Sequence, residues 1–374
     1  MHEEDGRTYT YFAWVDWGNT ADDPTGLLRT WEAPSGIERE QRYLPGTGWQ
    51  PSYVREDWHR GRQDGRFDRI DLATAERIIQ RWEQRRTEPE PGSAVTSLGV
   101  PRLRLGATEV IALADAEGPF FSPRVEAFPD ATAAQWAEAD RYDPGSVDAE
   151  GRWWLRFRAF AIRSDKGVTV VDAGIGPADS PAASWAPVPG VLPESLAAAG
   201  IDPAEVDTVV ITHLHTDHVG WAVVSEAAVP SGGGAPGDRR PYFPNADYLL
   251  QRAEFEAIDV LNPQLREALT DPLQAAGRLR LLDGDTPLRA GRTVATPGHT
   301  PGHQSVLVAD GRDLVLITGD LLVHALQLLH PELAYAHEMD PEAARHSRKR
   351  MFSRGAGTTL HLATPHLTEP FVSA

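Results

Sequence analysis

The sequence predicts an α/β domain over about residues 91–374, preceded by a small α+β domain over residues 1–90. Two observations lead to this fold class. From about residue 94, short apolar strands are separated by helical segments and by loops that carry histidines, a pattern typical of α/β architectures. Before it, a run rich in Pro, Glu and Gly at Thr87–Ser93 indicates a linker after a segment of different composition.

Length and composition bound the class of protein. A chain of 374 residues with 41% apolar residues is long enough for two domains with a sizeable core. It has no run of eighteen apolar residues, so we expect no membrane span, and its acidic N-terminus argues against a secretory signal. The net charge of −18 argues against nucleic acid as a partner. Because cysteine is absent, any metal must be bound by His and carboxylates, and the expected compartment is the cytoplasm.

The N-terminal segment is rich in tryptophan, and its role is unknown from the sequence. An alternating aromatic stretch at Tyr9–Trp17 predicts a strand. Asp71 is placed to cap a helix with one apolar stripe, formed by Leu72, Ala75, Ile78, Ile79 and Trp82. A compact core is the favoured role of the tryptophans, and an aromatic binding surface is the alternative. They are Trp14, Trp17, Trp31, Trp49, Trp58 and Trp82.

In the longer domain, apolar runs and capping residues predict the order of the elements. The predicted strands are Arg158–Arg163, Val168–Val171, Thr208–Ile211, Tyr248–Gln251, Thr293–Ala295, Ser305–Val308 and Leu314–Ile317. The predicted helices are Thr132–Ala139, Pro193–Ala199, Ala253–Val260 and Pro341–Phe352. Basic residues between Arg345 and Arg350 are interpreted as the solvated face of the last helix.

A dense group of metal-ligand residue types follows one of these strands. His213, His215, Asp217 and His218 lie within six residues, directly after Val209–Ile211. Four donors on one tight loop are too many for one small ion. The i, i+2 pair of histidines can point toward one ion, while Asp217 and His218 turn toward a second. This spacing therefore predicts a metal site built from imidazole and carboxylate ligands.

The stretch His213-Leu-His-Thr-Asp-His218 resembles the signature of the metallo-β-lactamase superfamily, and later residues match that pattern in order. The resemblance covers about residues 94–374 and implies an αββα sandwich of two mixed sheets flanked by helices. The matching residues are Asp172 at a strand end, His299 in a Pro-Gly-His motif, Asp320 after Thr-Gly, and His366 after Thr-Pro.

The resemblance also implies a ligand set and a mechanism. His213, His215 and His299 would bind one ion, Asp217, His218 and His366 a second, and Asp320 would bridge them. Two Zn²⁺ are expected, with Fe, Mn and Co as alternatives. Asp217 and Asp320 would be the catalytic carboxylates around a metal-bridging hydroxide that attacks a carbonyl or phosphoryl centre.

Some of these assignments have alternatives. His303 is expected to support a ligand rather than bind metal, because the family uses the first histidine of the Gly-His-Thr-Pro-Gly-His motif. Asp172 either orients a ligand or caps a turn. His361, five residues before His366, is interpreted as a structural strand residue.

The substrate is predicted less directly. The chain looks most like the lactonase and methyl-parathion-hydrolase group, yet Leu321–His324 replace the tyrosine that many homoserine lactonases carry after the bridging aspartate. Candidate pocket residues are Phe120, Phe121, Trp153, Trp221 and His324, with ordinary core packing as the alternative for each. They predict a small, moderately hydrophobic ester, lactone or related substrate.

Two other functions stay open at this stage. One is a mononuclear iron dioxygenase of the same fold, and the other is a thioesterase that meets a tethered substrate through the N-terminal module. A homodimer is one option for the assembly.

Overall fold

The computed structural model describes residues 2–4, 7–15, 20–22, 24, 26–33, 36, 38–44, 48–52, 54–55, 66–87, 100–225, 239–311, 313–355 and 359–373. The chain forms two compact units, Met1–Leu98 and Gly99–Ala374. No helix in the described part of the chain has the length and apolar character needed to cross a membrane.

The first unit is an antiparallel sheet packed against one helix. Its strands are β1 (His2–Glu4), β2 (Arg7–Val15), β3 (Gly26–Glu32), β4 (Glu38–Leu44), β5 (Gly48–Pro51) and β6 (Arg66–Ile70), in the order β1-β2-β3-β4-β5 with β6 paired to β2. The helix Leu72–Thr87 begins where predicted, because Asp71 Oδ1 accepts the Thr74 N–H at 2.8 Å.

The apolar stripe of this helix meets the aromatic residues of the sheet. Tyr9, Tyr11 and Leu27 pack with Ala75 and Ile78 in one cluster. Trp31, Trp49 and Trp82 pack against this cluster and Trp14 is buried elsewhere in the unit, so these four have the predicted core role. Trp17 and Trp58 lie outside the described residues.

The second unit contains two mixed sheets. Its strands are β7 (Arg102–Leu105), β8 (Thr108–Pro119), β9 (Trp154–Ser164), β10 (Gly167–Val171), β11 (Val206–Val210), β12 (Val223–Ser225), β13 (Arg239–Pro241), β14 (Asp247–Gln251), β15 (Leu279–Leu282), β16 (Arg292–Ala295), β17 (Gln304–Asp310), β18 (Asp313–Ile317), β19 (Thr359–Ala363) and β20 (Phe371–Ser373). The sheet orders are β15-β14-β11-β10-β9-β8-β7 and β16-β17-β18-β19-β20, with β12 and β13 as a separate hairpin.

Parallel and antiparallel pairs occur in both sheets. The β10–β11, β11–β14 and β14–β15 pairs are parallel, and the remaining pairs of that sheet are antiparallel. In the other sheet β18–β19 is the parallel pair. The helices are Arg124–Ala127, Ala133–Tyr142, Leu192–Ala199, Arg252–Glu256, Ile258–Leu261, Asp271–Ala275, Ala325–Leu329 and Pro341–Phe352.

The cores show how these elements are layered. Val171 and Val210 of one sheet pack with Val315 and Ile317 of the other, which forms the interior between the sheets. Neighbouring residues such as Val209 point the opposite way, into a core shared with the helix Leu192–Ala199. Strands buried on both faces read as continuous apolar runs, which is why the sequence predicts them well. The layers are those of the predicted αββα sandwich.

The structure refines several predicted elements. The helix expected at Ala253–Val260 is interrupted at Ala257, which separates two short helices. The strands β7 and β8 were missed, although β8 is a long strand of 12 residues next to the edge of its sheet. Its alternation is interrupted by Asp115 and Glu117, so it does not read as a buried strand.

The predicted solvated face of the last helix was wrong at one residue. Arg348, interpreted as part of a solvated basic face, is fully buried in the helix Pro341–Phe352. Its guanidinium pairs with buried Glu338 and donates to the carbonyls of Pro331 at 3.1 Å and Leu333 at 2.9 Å. The fixed fork of an arginine therefore holds the segment that follows the helix Ala325–Leu329.

Replacing Arg348 with Met is expected to lower the free energy of unfolding by about 3–5 kcal/mol, because Glu338 would keep a buried charge without its partner. Urea unfolding followed by tryptophan fluorescence measures this change. Exposed Lys349 of the same helix supplies the control, and Lys349→Met should change stability by less than about 0.5 kcal/mol. Equal effects of the two substitutions would contradict this interpretation of the ion pair.

Candidate metal centre

The predicted ligands and the supporting residue Asp172 lie just beyond the ends of strands. Asp172 follows β10, and the turn from His213 to His218 follows β11. Asp320 follows β18 in a 3-10 turn at Gly319–Leu321, and His366 follows β19. The β10–β11 and β18–β19 pairs are parallel, so the carboxyl ends of each pair meet at one edge and bring these loops together.

Two groups of candidate ligands result. His213, His215, His299 and Asp320 form the first group, and Asp217, His218 and His366 form the second. Within each group the candidate ligand atoms lie within 4.8 Å of one another. In the first group, His215 Nδ1 lies 3.0 Å from His299 Nε2. His361 lies inside β19 and belongs to neither group.

The two oxygens of Asp320 face different groups. Oδ2 lies 3.2 Å from His299 Nε2 and 3.7 Å from His213 Nε2. Oδ1 lies 3.2 Å from His218 Nε2 and 3.1 Å from His366 Nε2. Asp320 therefore stands between the groups in the manner of a bridging carboxylate.

Several nitrogens of the site are turned inward without hydrogen-bond partners. The Nε2 atoms of His213 and His218 are both buried and unpartnered among the described residues. A buried nitrogen without a hydrogen-bond partner lowers the stability of the fold unless another group occupies the space that it faces. A donor set of imidazoles and carboxylates without thiolates suits zinc and similar divalent ions. The residues present thus fit the expected metal.

Other contacts of the histidines fix which nitrogen faces the centre. His218 Nδ1 lies 2.8 Å from Asp172 Oδ2, and His366 Nδ1 donates to the Arg156 carbonyl at 2.8 Å. Asp172 also accepts the Thr212 N–H at 2.8 Å and has a positive φ of 62°. Because Nδ1 is occupied in both rings, Nε2 remains available as the ligand atom.

His303 has a different role from His299. Its Nε2 accepts the Asp320 N–H at 2.9 Å, and its Nδ1 lies 3.0 Å from the Thr296 carbonyl. Both ring nitrogens are therefore used, and the ring holds the backbone at Asp320. Burial lowers the pKa of His303 to about 3, so the ring stays neutral and keeps the lone pair that this contact needs.

Histidines of the two ligand groups have pKa shifts in opposite directions. Burial lowers the pKa of His215 to about 3 and that of His213 well below 6.5. Burial also opposes the charged form of His218, but carboxylates led by Asp320 outweigh it and raise the pKa of His218 well above 6.5. Asp320 keeps its negative charge, because the surrounding imidazoles overcome the effect of burial and lower its pKa. Such a concentration of shifted groups is typical of a functional site.

A cavity of about 180 Å³ opens onto both groups. Its wall includes the predicted pocket residues Phe120, Phe121 and Trp153. The described residues that line it include no Lys or Arg. The remaining lining residues are Leu155, Trp185, His215, Thr216, Asp217, Asn262, His299, Asp320, Val323, Tyr335, His337 and His366.

Two predicted pocket residues lie elsewhere. Trp221 is buried in the core, where its indole N–H donates to Asp115 at 3.0 Å. His324 caps the helix Ala325–Leu329 by accepting the Leu326 N–H at 3.1 Å, and its ring packs against Trp153. The expectation that these two residues contact substrate is therefore corrected. Each lies near a ligand in sequence, but the Trp221 indole N–H and the His324 Nδ1 are used by the fold.

Tyr335 and His337 are among the polar residues of the cavity that sequence reasoning missed. The ring of Tyr335 lies nearly parallel to that of His299, with 6.0 Å between centroids, and His337 packs 5.1 Å from Tyr335. They come from a segment of irregular structure fifteen or more residues after Asp320. No local sequence pattern marks such a segment. The only indication was weak: two ring side chains at alternate positions, Tyr335 and His337.

Comparisons with known proteins identify the family and the fold. The family model described as "Metallo-beta-lactamase superfamily" matches residues 152–361. An N-acyl homoserine lactonase of Bacillus cereus is 31% identical over 154 residues, which cover 41% of this chain and 52% of the relative. The lactonase AttM of Azorhizobium caulinodans is 32% identical over 180 residues, covering 40% of this chain and 58% of the relative. The chain thus spans little more than half the length of these relatives.

Two solved structures share the fold. The hydrolase AbOPH of the beta lactamase superfamily aligns with a TM-score of 0.57 and 24% identity, over 73% of this chain and 91% of that one. AidC, a dizinc quorum-quenching lactonase, aligns with a TM-score of 0.57 and 19% identity, over 74% and 97%. The predicted family resemblance and the predicted fold are confirmed.

Replacing Gly319 with Ala is expected to reduce metal binding by both groups. Gly319 has a φ of +51°, and a Cβ there would lie 2.8 Å from His303 Nε2, which would displace the contact that holds Asp320. Elemental analysis of the purified variant measures metal per chain.

Gly311→Ala is the matched control for backbone strain. Gly311 has a similar φ of +59°, but a Cβ there meets no atom within 4 Å. If Gly319→Ala kept as much metal as Gly311→Ala, the role assigned to this contact would be contradicted.

Proposed function

Since the chain belongs to the metallo-β-lactamase superfamily, we propose that it is a metal-dependent hydrolase that holds two divalent ions. The observation that carries this proposal is the division of the Asp320 oxygens between two groups of ligands. His213, His215 and His299 would hold the first ion, and Asp217, His218 and His366 the second, with Asp320 shared. Zinc suits this donor set best, while iron, manganese and cobalt remain candidates.

Two bound ions of this kind supply a water molecule of lowered pKa and stabilise negative charge on a substrate oxygen. Asp217 and Asp320 both line the cavity and keep carboxylates of lowered pKa, because nearby imidazoles outweigh burial. They can therefore accept a hydrogen bond from the attacking water and orient it.

Tyr335 is the proposed donor to the substrate. Burial, together with the carboxylates of Asp320 and Asp217, raises the pKa of its phenol well above 10, so it remains a neutral O–H donor. It lines the cavity beside His299, and no hydrogen bond joins its hydroxyl to another described residue. Tyr335 can thus supply the polar contact that the stretch after Asp320 lacks.

The cavity wall supports a neutral, moderately hydrophobic substrate. Phe120, Phe121, Trp153 and Trp185 provide apolar surface. The described lining has no Lys or Arg that could pair with a free anionic group away from the metal centre, which disfavours such a substrate. We propose a lactone or ester first, since the curated relatives are named as lactonases. A related phosphoryl substrate would meet the same groups. A cytoplasmic location and a homodimer stay predictions from the sequence.

Removal of metal by a chelator is expected to abolish hydrolysis, and two equivalents of Zn²⁺ per chain should restore it. Hydrolysis is measured on a panel of substrates that comprises lactones, aryl esters, thioesters and phosphotriesters. In this assay Asp217→Ala should keep about one ion and lose at least ~100-fold in turnover, because Asp217 belongs to the second group. Asp165→Ala, at an exposed turn, is the control. One iron per chain with oxygen consumption would instead identify a dioxygenase.

Tyr335→Phe is expected to lower kcat/KM by about 10- to 100-fold, because one hydrogen bond to a substrate oxygen is lost. Its metal content should equal that of the wild type. Steady-state kinetics on the best substrate of the panel measures the effect, with Tyr142→Phe at an exposed position as the control. Unchanged kinetics in Tyr335→Phe would remove this residue from the mechanism.

A further inference from the structure

We propose that Glu254 is a positioning residue that ties the two histidine loops of the first ligand group together and so sets the metal affinity of that group alone. The proposal rests on the function proposed above. It assigns a role to a carboxylate that does not line the cavity and belongs to neither ligand group.

The contacts of Glu254 join two separate loops. Its Oε1 accepts the Leu214 N–H at 2.8 Å, and its Oε2 accepts the Gly302 N–H at 2.9 Å. Leu214 lies between the candidate ligands His213 and His215, and Gly302 follows His299 by three residues. One side chain therefore holds the backbone between His213 and His215 and also holds the loop that follows His299.

The packing around Glu254 leaves little freedom. The residue is fully buried in the short helix Arg252–Glu256, which follows β14. A Cβ on Gly302 would lie 2.2 Å from the Glu254 nitrogen and 2.6 Å from its Cβ. The loop after His299 thus rests directly on the backbone of this helix, and only glycine fits at the contact.

A carboxylate suits this position better than an amide. Its two oxygens accept from two backbone donors. Burial raises the pKa of Glu254, and these donors reduce that rise without cancelling it. A glutamine has one acceptor oxygen, so one buried N–H would face an NH₂ group and lose its partner. The loss of a buried partner costs about 1–3 kcal/mol, enough to displace one of the loops.

The second group is oriented by other residues. His218 contacts Asp172, and His366 donates to the Arg156 carbonyl. Neither contact involves Glu254. Removing its carboxylate should therefore affect one metal group and spare the other, whereas a general loss of stability would affect both.

The experiment measures Zn²⁺ affinity in the full chain by competition with a chromophoric chelator. Glu254→Gln is introduced into His366→Ala, where the first group binds alone, and into His299→Ala, where the second group binds alone. We expect Zn²⁺ affinity to fall about 10- to 100-fold in the first background and to stay within about twofold in the second. Glu256→Gln, on the same helix but exposed, should change neither.

Gly302→Ala provides a second route to the same displacement, because its Cβ would push the loop away from Glu254. It should reproduce the selective loss. Equal losses of Zn²⁺ affinity in both backgrounds, or no loss in either, would overturn the proposal. Failure of both variants to fold would also overturn it, because Glu254 would then be a residue of general stability. If the unmodified chain binds no Zn²⁺, the proposed function fails; if it binds two ions that Glu254→Gln leaves unchanged, the positioning role alone fails.

Discussion

A buried carboxylate shared between two sets of imidazoles is the interaction on which the rest of the site depends. Asp320 faces His213 and His299 with one oxygen and His218 and His366 with the other. A buried negative charge is strongly unfavourable unless donors or cations surround it. The loops that carry these histidines must therefore converge on one point. The sandwich meets that requirement because parallel strands from both sheets end at the same edge.

Backbone groups carry much of the orientation that this convergence needs. The Arg156 carbonyl accepts from His366, and the Asp320 N–H donates to His303. Backbone groups in sheets and in well-packed turns cannot rotate away as side chains can. The positions of the ligand atoms are thus set by the same hydrogen bonds and cores that stabilise the fold, and imidazole rings retain a single orientation toward the centre.

The sequence revealed the features that depend on neighbouring residues. Spacing within the His213–His218 turn indicated a metal site, and strands such as β10 and β18 were recognised because both faces are buried. Features that depend on distant partners were missed. Asp115 interrupts β8 in sequence, yet its carboxylate is satisfied by the Ile175 and Leu192 N–H groups and by Trp221. A pattern cannot anticipate partners that lie sixty or more residues away.

The same limit explains why the sequence did not predict the cavity wall or the buried ion pair that holds it. In the sequence, Arg348 looks like one charge on a basic helix face. In the structure, its guanidinium donates to carbonyls of the segment between Asp320 and Tyr335. It also pairs with Glu338, one residue after His337. A buried ion pair adds little net stability relative to apolar packing. Its directional donors nevertheless select one path for a segment without regular structure. The network therefore serves to fix the wall that presents Tyr335, and it links the shape of the cavity to the loop that carries Asp320.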